Sequence, residues 1–198
     1  MSFTGCNRGD RPRSANDAYE TPQWCIDLLV DRLVDLPIVS QCRHIIDAGA
    51  GDGRIGNSLL KRILSIRPGS PKPRLHLVEY AEGRGDDFLT WGSLERLGRS
   101  IVVSNPPFSQ ARAFIERALF LEPLVAAFLL RLNFLGTRRR VDFWRRNPVR
   151  RLTVLVPRPS FVYGGTDACE YAWFWWGDAL TFETPEYPGL SLIEVATK

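Results

Sequence analysis

Residues 44–66 read HIIDAGAGDGRIGNSLLKRILSI, a short apolar strand that runs through three alternating glycines into helical spacing. Such a stretch commits the chain to a strand–turn–helix unit. Gly49, Gly51 and Gly53 let the backbone turn tightly and approach a ligand, and the helix behind them offers its N-terminal amides. The same alternation continues along the chain. Thr21 and Pro22 read as N-cap and first position of a helix over 22–35, with Trp24, Cys25, Leu28, Leu29 and Leu33 at helical spacing. Strands are expected at 44–48, 75–78, 101–104, 124–132, 152–156 and 171–176, and helices at 56–66, 111–121 and, in a basic stretch, 138–146. Residues 124–132 are apolar on both faces, as a parallel strand covered by helices should be. The order predicts a doubly wound, mostly parallel α/β sheet with ligands at the carboxyl ends of its strands.

A chain of 198 residues can bury roughly 70% of its unfolded surface in one core. We expect a flexible segment over 1–18 and a single domain over 19–198 with no separate target-recognition domain. No window of about 18 uncharged apolar residues offers a membrane span. MSFTGCNRGDRPRS carries charges and glycine where an export signal needs apolar residues, so a cytoplasmic protein is expected. Cys6, Cys25, Cys42 and Cys169 are too scattered for a metal knuckle or a disulfide framework, and read as reduced thiols, mostly core. His44 and His76 lie in apolar strands and read as core. No metal site is visible.

The net charge of +4 is unevenly spread. Nine arginines stand against one acid, Asp142, between Arg131 and Arg158. Guanidinium groups bind phosphate through paired donors, so this cluster, with Arg138, Arg139 and Arg140 at its centre, is a candidate nucleic-acid contact. A solvated helix face is the competing reading.

The chemistry concentrates at strand ends. Gly51, Gly53 and Gly56 match G-x-G-x-x-G, which by itself points to a dinucleotide. Asp47 argues otherwise, because a carboxylate before the turn repels a pyrophosphate and attracts an ammonium or sulfonium; S-adenosylmethionine carries both. Glu79, ending the second strand, can accept hydrogen bonds from two ribose hydroxyls. Asp87 and Phe88 can hold an adenine, the acid accepting from its amine and the ring covering its face.

The strand at 101–104 stops at Asn105-Pro106-Pro107-Phe108. Two prolines cannot continue a central ladder, but a turn requires neither the amide nor the aromatic. An aromatic amine such as adenine N6 is a poor nucleophile because its lone pair is delocalised. The Asn105 amide oxygen and the Pro106 carbonyl can both accept from its hydrogens, which aims the nitrogen lone pair, while Phe108 stacks on the base. Alignment and electrostatics then carry the catalysis.

Asp47-Ala-Gly-Ala-Gly-Asp-Gly53, then Glu79, Asp87-Phe88 and Asn105-Pro-Pro-Phe108, together resemble the S-adenosylmethionine-dependent N6-adenine DNA methyltransferases of the compact phage or prophage type. The resemblance spans roughly residues 19–176. It implies a Rossmann-like class I methyltransferase fold, S-adenosylmethionine as cofactor, double- or single-stranded DNA as partner, and Asn105 to Phe108 as catalytic loop. It further gives Tyr19 and Thr21 a place at the cofactor's methionine end, where helix capping explains Thr21 equally well, Asn105 a contact with the cofactor as well as the base, and Phe161 a place against the flipped base, with a core position as its competing reading. Only seven residues separate Glu79 from Asp87, so the fold is expected to be truncated around its second and third strands, and Glu79, Glu82 or Asp86 could replace Asp87 at the adenine. Methylation of RNA or of protein glutamine through the same tetrapeptide, and a non-catalytic nucleic-acid-binding protein, are the alternatives.

Overall fold

The computed structural model describes residues 20–79, 87–91, 97–161, 168–177, 180 and, as backbone, 192–197. Seven strands form one sheet: β1 (His44–Ala48), β2 (Arg74–Val78), β3 (Ser100–Ser104), β4 (Val125–Arg131), β5 (Arg151–Val156), β6 (Tyr171–Trp176) and β7 (Leu192–Thr197), in the order β2-β1-β3-β4-β6-β5-β7. Every neighbouring pair is parallel except those made by β6, which runs antiparallel to both β4 and β5. The expectation for β4 is therefore corrected on one side: its β3 edge is parallel and its β6 edge antiparallel.

Among the described residues four α-helices cover the sheet, α1 (Gln23–Val34), α2 (Arg54–Ile66), α3 (Ala111–Phe120) and α4 (Val141–Arg146). Alternation along each strand sorts the side chains to two faces. Cys25, Ile26, Leu29 and Leu33 of α1 and Ile55, Leu59 and Ile63 of α2 pack on the face that carries Ile45, Ile101, Val103 and Ala127. Phe114, Ile115 and Ala118 of α3 and Phe143 of α4 pack on the face that carries Ile46, Val102, Ala126 and Phe128. Burying each large side chain contributes about 1.5–3 kcal/mol, and every residue of Tyr171-Ala-Trp-Phe-Trp-Trp176 is buried.

Four local expectations change. Helix α1 begins at Gln23, with Pro22 as N-cap and no side-chain cap; the Pro22 carbonyl accepts from the amides of Cys25 and Ile26, so Thr21 is not the cap. The basic stretch splits into a 3₁₀ turn, Arg138–Arg140, followed by the short α4. Strand β7 joins the edge beside β5, where no strand was expected. His44 and His76 are half-buried and joined through Nδ1 and Nε2 at 3.2 Å, and burial, then His44 and Arg74, lower the basicity of His76.

Cys25, Cys42 and Cys169 are buried, as expected, and Cys6 lies outside the described residues. Burial pushes the Cys25 thiol up to about 12 and that of Cys42 to about 11, which leaves neither a thiolate near neutral pH. Among the described residues no helix is long and apolar enough to cross a membrane.

Candidate active site

Strand order reverses at β1. The chain passes from β1 to β2 on one side and then to β3 on the other, so the loops leaving β1 and β3 splay apart above their carboxyl ends, where open α/β sheets bind ligands. Asp47 of β1 lies directly beside Val103 of β3, which brings the glycine turn and the Asn105 loop to neighbouring positions.

The turn after β1 is held open by its own backbone. Gly49 and Gly51 adopt φ of +69° and +56°, and the Val78 carbonyl at the end of β2 accepts from the amides of Gly49 at 2.6 Å and Ala50 at 3.2 Å. A Cβ on Gly51 would meet no heavy atom within 4 Å, so positive φ rather than crowding demands glycine there. Gly56 is constrained the other way: a Cβ would come within 2.9 Å of both Asp47 Cβ and Leu75 Cδ1. That close approach lets the Gly56 amide donate to Asp47 Oδ2 at 2.7 Å.

Asp47 is 1% exposed, and its Oδ1 has no hydrogen-bond partner among the described residues. Burial pushes its carboxyl up to about 7; the Gly56 amide opposes this, and the charges of Asp52 and Glu79 add to it. Near neutral pH the group is therefore poised between acid and carboxylate rather than fully ionised, as the sequence reading assumed. A buried half-satisfied carboxyl is costly unless a donor or cation meets it. Glu79 stands exposed at the end of β2. Its carbonyl accepts from the Phe88 amide at 3.0 Å, which returns the chain to the sheet beside the site.

On the β3 side, the Ser104 hydroxyl donates to the Ala48 carbonyl at 2.5 Å and clamps the two strand ends together. Pro106 and Pro107 are buried, and Asn105 and Phe108 are partly exposed. Asn105 Nδ2 donates to Thr21 Oγ1 at 3.0 Å, a contact across 84 residues of chain. Thr21 thus serves the loop instead of the helix. Its neighbour Glu20 pairs with Arg54 at 3.1 Å, and Arg54 also pairs with Asp52 at 2.7 Å, so the entry to α1 is tied to the glycine turn.

No family model and no curated protein matches this sequence. Solved structures do. A candidate RNA methyltransferase from Pyrococcus horikoshii superposes with a TM-score of 0.52 at 17% identity, over 84% of this chain and 87% of that one. A candidate class I S-adenosylmethionine-dependent methyltransferase from Listeria monocytogenes gives 0.58 at 13%, over 88% and 65%. The methyltransferase subunit of a type I restriction-modification system from Streptococcus thermophilus gives 0.56 at 16%, over 80% of this chain and 44% of that one. The fold is that of the class I methyltransferases. The chain spans nearly the whole first neighbour, 65% of the second and under half of the third.

Against this fold the predicted site residues separate into two groups. Thr21, Asp47, Gly49, Gly51, Glu79 and Asn105 gather around the switch point. Asp87 lies close by but is buried, with Oδ1 accepting from the Leu89 amide at 2.9 Å. Phe88 departs from the expectation: it is 0% exposed and packs on Phe114 with ring centroids 5.1 Å apart, so it presents no face to a ligand. Tyr19, Glu82 and Asp86 lie outside the described residues.

Phe108 and Phe161, which the sequence separates by 52 positions, both pack on Tyr171, at 5.9 and 4.8 Å between centroids. Arg131 lies over Phe108, its Cζ 4.4 Å from the ring centroid. Arg158 pairs with Glu170 at 2.7 Å and fastens the Phe161 strap to the start of β6. Sequence reasoning counted Arg131 only within the basic cluster and passed over Tyr171; the signal was a charge closing one apolar strand and a hydroxyl opening another.

Of the basic cluster, Arg138 and Arg139 are exposed. Arg140 is turned inward, its Cζ 3.9 Å from the Phe134 centroid and its Nη1 donating to the Phe134 carbonyl at 2.9 Å. Among the described residues, no group of three or more His, Cys, Asp or Glu side chains could hold a metal ion.

Proposed function

We propose that this chain transfers the methyl group of S-adenosylmethionine to the exocyclic N6 amine of adenine in DNA. The observation that carries the reading is the juxtaposition, at the switch point of a methyltransferase fold, of Asn105-Pro106-Pro107-Phe108 and the Asp47 glycine turn. The buried, half-satisfied carboxyl of Asp47 fits a cationic ligand, and the open space around Gly51 leaves backbone accessible to it. Asp47, Gly49, Gly51, Glu79 and Thr21 would hold the cofactor, with Asp87 nearest its adenine; Tyr19 joins them on the resemblance alone. The cofactor would supply an electrophilic methyl on a sulfonium that leaves as neutral thioether, and the methylated amine would then release one proton to solvent.

The chain's own residues supply alignment. Asn105 Nδ2 donates to Thr21 Oγ1, which fixes the amide plane, and in this reading Oδ1 accepts from the substrate amine. The Pro106 carbonyl accepts the second amine hydrogen, and the prolines fix the loop without competing donors. Phe108 and Phe161 face the extruded base, whose unstacking costs a few kcal/mol in a duplex. Arg138 and Arg139 contact phosphate, while Arg140 supports the turn that presents them.

DNA is favoured by the exposed arginines after β4 and by the restriction-modification neighbour. The Pyrococcus horikoshii neighbour, described as acting on RNA, supports RNA as the second reading. The test is incubation with methyl-labelled cofactor and DNA, RNA or ribosome fractions. Label in DNA is the expected result, and label confined to RNA or protein would replace the DNA reading.

A further inference from the structure

We propose that Arg131 and Tyr171 form a positioning pair that sets the ring of Phe108 against the acceptor base; the proposal rests on the function given above. Arg131 closes β4 and Tyr171 opens β6, and the two are directly opposite in the antiparallel ladder. Their side chains therefore leave the same face of the sheet. Arg131 Nε donates to the Tyr171 hydroxyl at 3.0 Å, and the guanidinium lies over the Phe108 ring with Cζ 4.4 Å from its centroid. The Tyr171 ring is fully buried and touches both Phe108 and Phe161.

Each part of this arrangement has a distinct job. The sheet register fixes Tyr171, and the phenol hydroxyl fixes the rotation of the guanidinium through its Nε hydrogen. The flat guanidinium then covers part of Phe108 and limits how that ring can tilt, while Phe108 keeps some exposure for a base. Because Phe161 packs on the same Tyr171 ring, the spacing between the two aromatic walls is set by one buried side chain. Lysine at 131 would keep the charge but offer neither a flat surface nor an Nε–H at that point of the side chain. The pair touches neither the methyl donor nor the amine in this account. It acts through Phe108.

The experiment compares wild type with Arg131→Lys, Tyr171→Phe and the double variant. The readouts are kcat and KM for DNA with labelled S-adenosylmethionine, cofactor Kd by calorimetry, and thermal melting. Misplacing a reacting group by about 1 Å costs on the order of a hundredfold in rate. We expect Arg131→Lys to lower kcat roughly 10- to 100-fold, with cofactor Kd within about threefold of wild type. Tyr171→Phe, which keeps the ring and removes the tether, should lose roughly three- to tenfold in kcat. The double variant should be no slower than Arg131→Lys alone, since both changes break one hydrogen bond.

A 2-aminopurine-containing single strand gives a readout independent of turnover: wild type should quench its fluorescence by stacking, and Arg131→Lys should quench it less. Retention of wild-type kcat by Arg131→Lys would overturn the proposal. So would a kcat loss matched by equal loss of cofactor affinity or by collapse of the melting transition, or multiplicative losses in the double variant. Equal 2-aminopurine quenching by wild type and Arg131→Lys would also overturn it. A wild-type protein that binds and quenches the strand yet methylates no acceptor would instead remove the proposed function.

Discussion

The two halves of the sheet are built differently. From β3 through β4 to β6, every strand residue except Arg131 is buried, and helices or straps cover both faces. On the other side β2 is thin: Arg74 and Leu77 are exposed, Leu75 and His76 only partly buried, and Val78 alone is fully in the core. The Asn105 loop leaves the thick half, and the glycine turn bridges to the thin one. A reaction governed by alignment gains from a loop rooted in dense packing, because interiors resist small displacements. The glycine-turn side, where we propose that the cofactor binds, is held instead by backbone hydrogen bonds, close glycine contacts and one buried carboxyl, which suits a pocket that admits and releases a ligand each turnover.

The sharpest way to break this contrast is at Asn105. Replacing it with Ala should reduce methyl transfer by roughly a thousandfold, while cofactor Kd changes by no more than a few-fold. Near-normal turnover, followed with labelled cofactor, would remove Asn105 from the mechanism. Next in size is Gly56→Ala, whose new methyl must displace Asp47 and Leu75. It should cost about 1–3 kcal/mol in urea unfolding and weaken cofactor binding with it.

A paired substitution tests the packing difference itself. Val103→Thr puts a hydroxyl into the buried β3 and should cost about 1–3 kcal/mol, whereas Leu77→Thr, 48% exposed on β2, should stay within about 0.5 kcal/mol. Equal costs in denaturant melts would show that the halves are not energetically distinct.

Asp47 links the two halves and carries a pH signature. Its folded value, about 7, lies above the ordinary 3.8, so the native chain holds a proton that the unfolded chain releases. The stability this contributes is complete below about pH 4 and is lost as pH rises through 7. Asp47→Asn stays neutral throughout, so its melting temperature should gain on wild type between pH 4 and 8. A cationic ligand favours the carboxylate, so wild-type cofactor affinity should rise by up to about tenfold per pH unit below 7 and level off above it. A flat profile by calorimetry would contradict an ammonium or sulfonium beside Asp47.

The smallest effect is expected at the surface. Removing Arg138 and Arg139 together should lower the salt dependence of DNA binding by a slope of roughly 1–2, with folding unchanged. Arg140→Ala should instead act through stability, because its guanidinium is spent on Phe134.

These contrasts also show what the sequence could disclose. Strands β1 and β6 were legible to the residue, since an apolar run bounded by glycine or charge has few other solutions. The order of alternating elements predicted the three-layer fold. Non-local pairing was not legible: nothing within residues 124–132 says that one neighbour is antiparallel, and β7 is an edge strand defined by its distant partner β5. At the site, the placement of Asp47, Gly49 and Asn105 at neighbouring strand ends could be read because each follows directly from a local apolar run. Thr21 read equally as a cap or a cofactor contact because capping is local, whereas its observed partner, Asn105, lies across the fold. Phe88 looked like a ligand contact because sequence proximity to an acid says nothing about which way a ring turns. Arg131 and Tyr171 carry meaning only through a register that places them opposite one another.

The most direct test is nucleoside mass spectrometry on DNA from methylation-deficient cells expressing this chain or its Asn105→Ala variant. We predict N6-methyldeoxyadenosine with the intact chain and none above background with the variant. Unmodified DNA in both, despite a folded protein that binds the cofactor, would contradict the assignment.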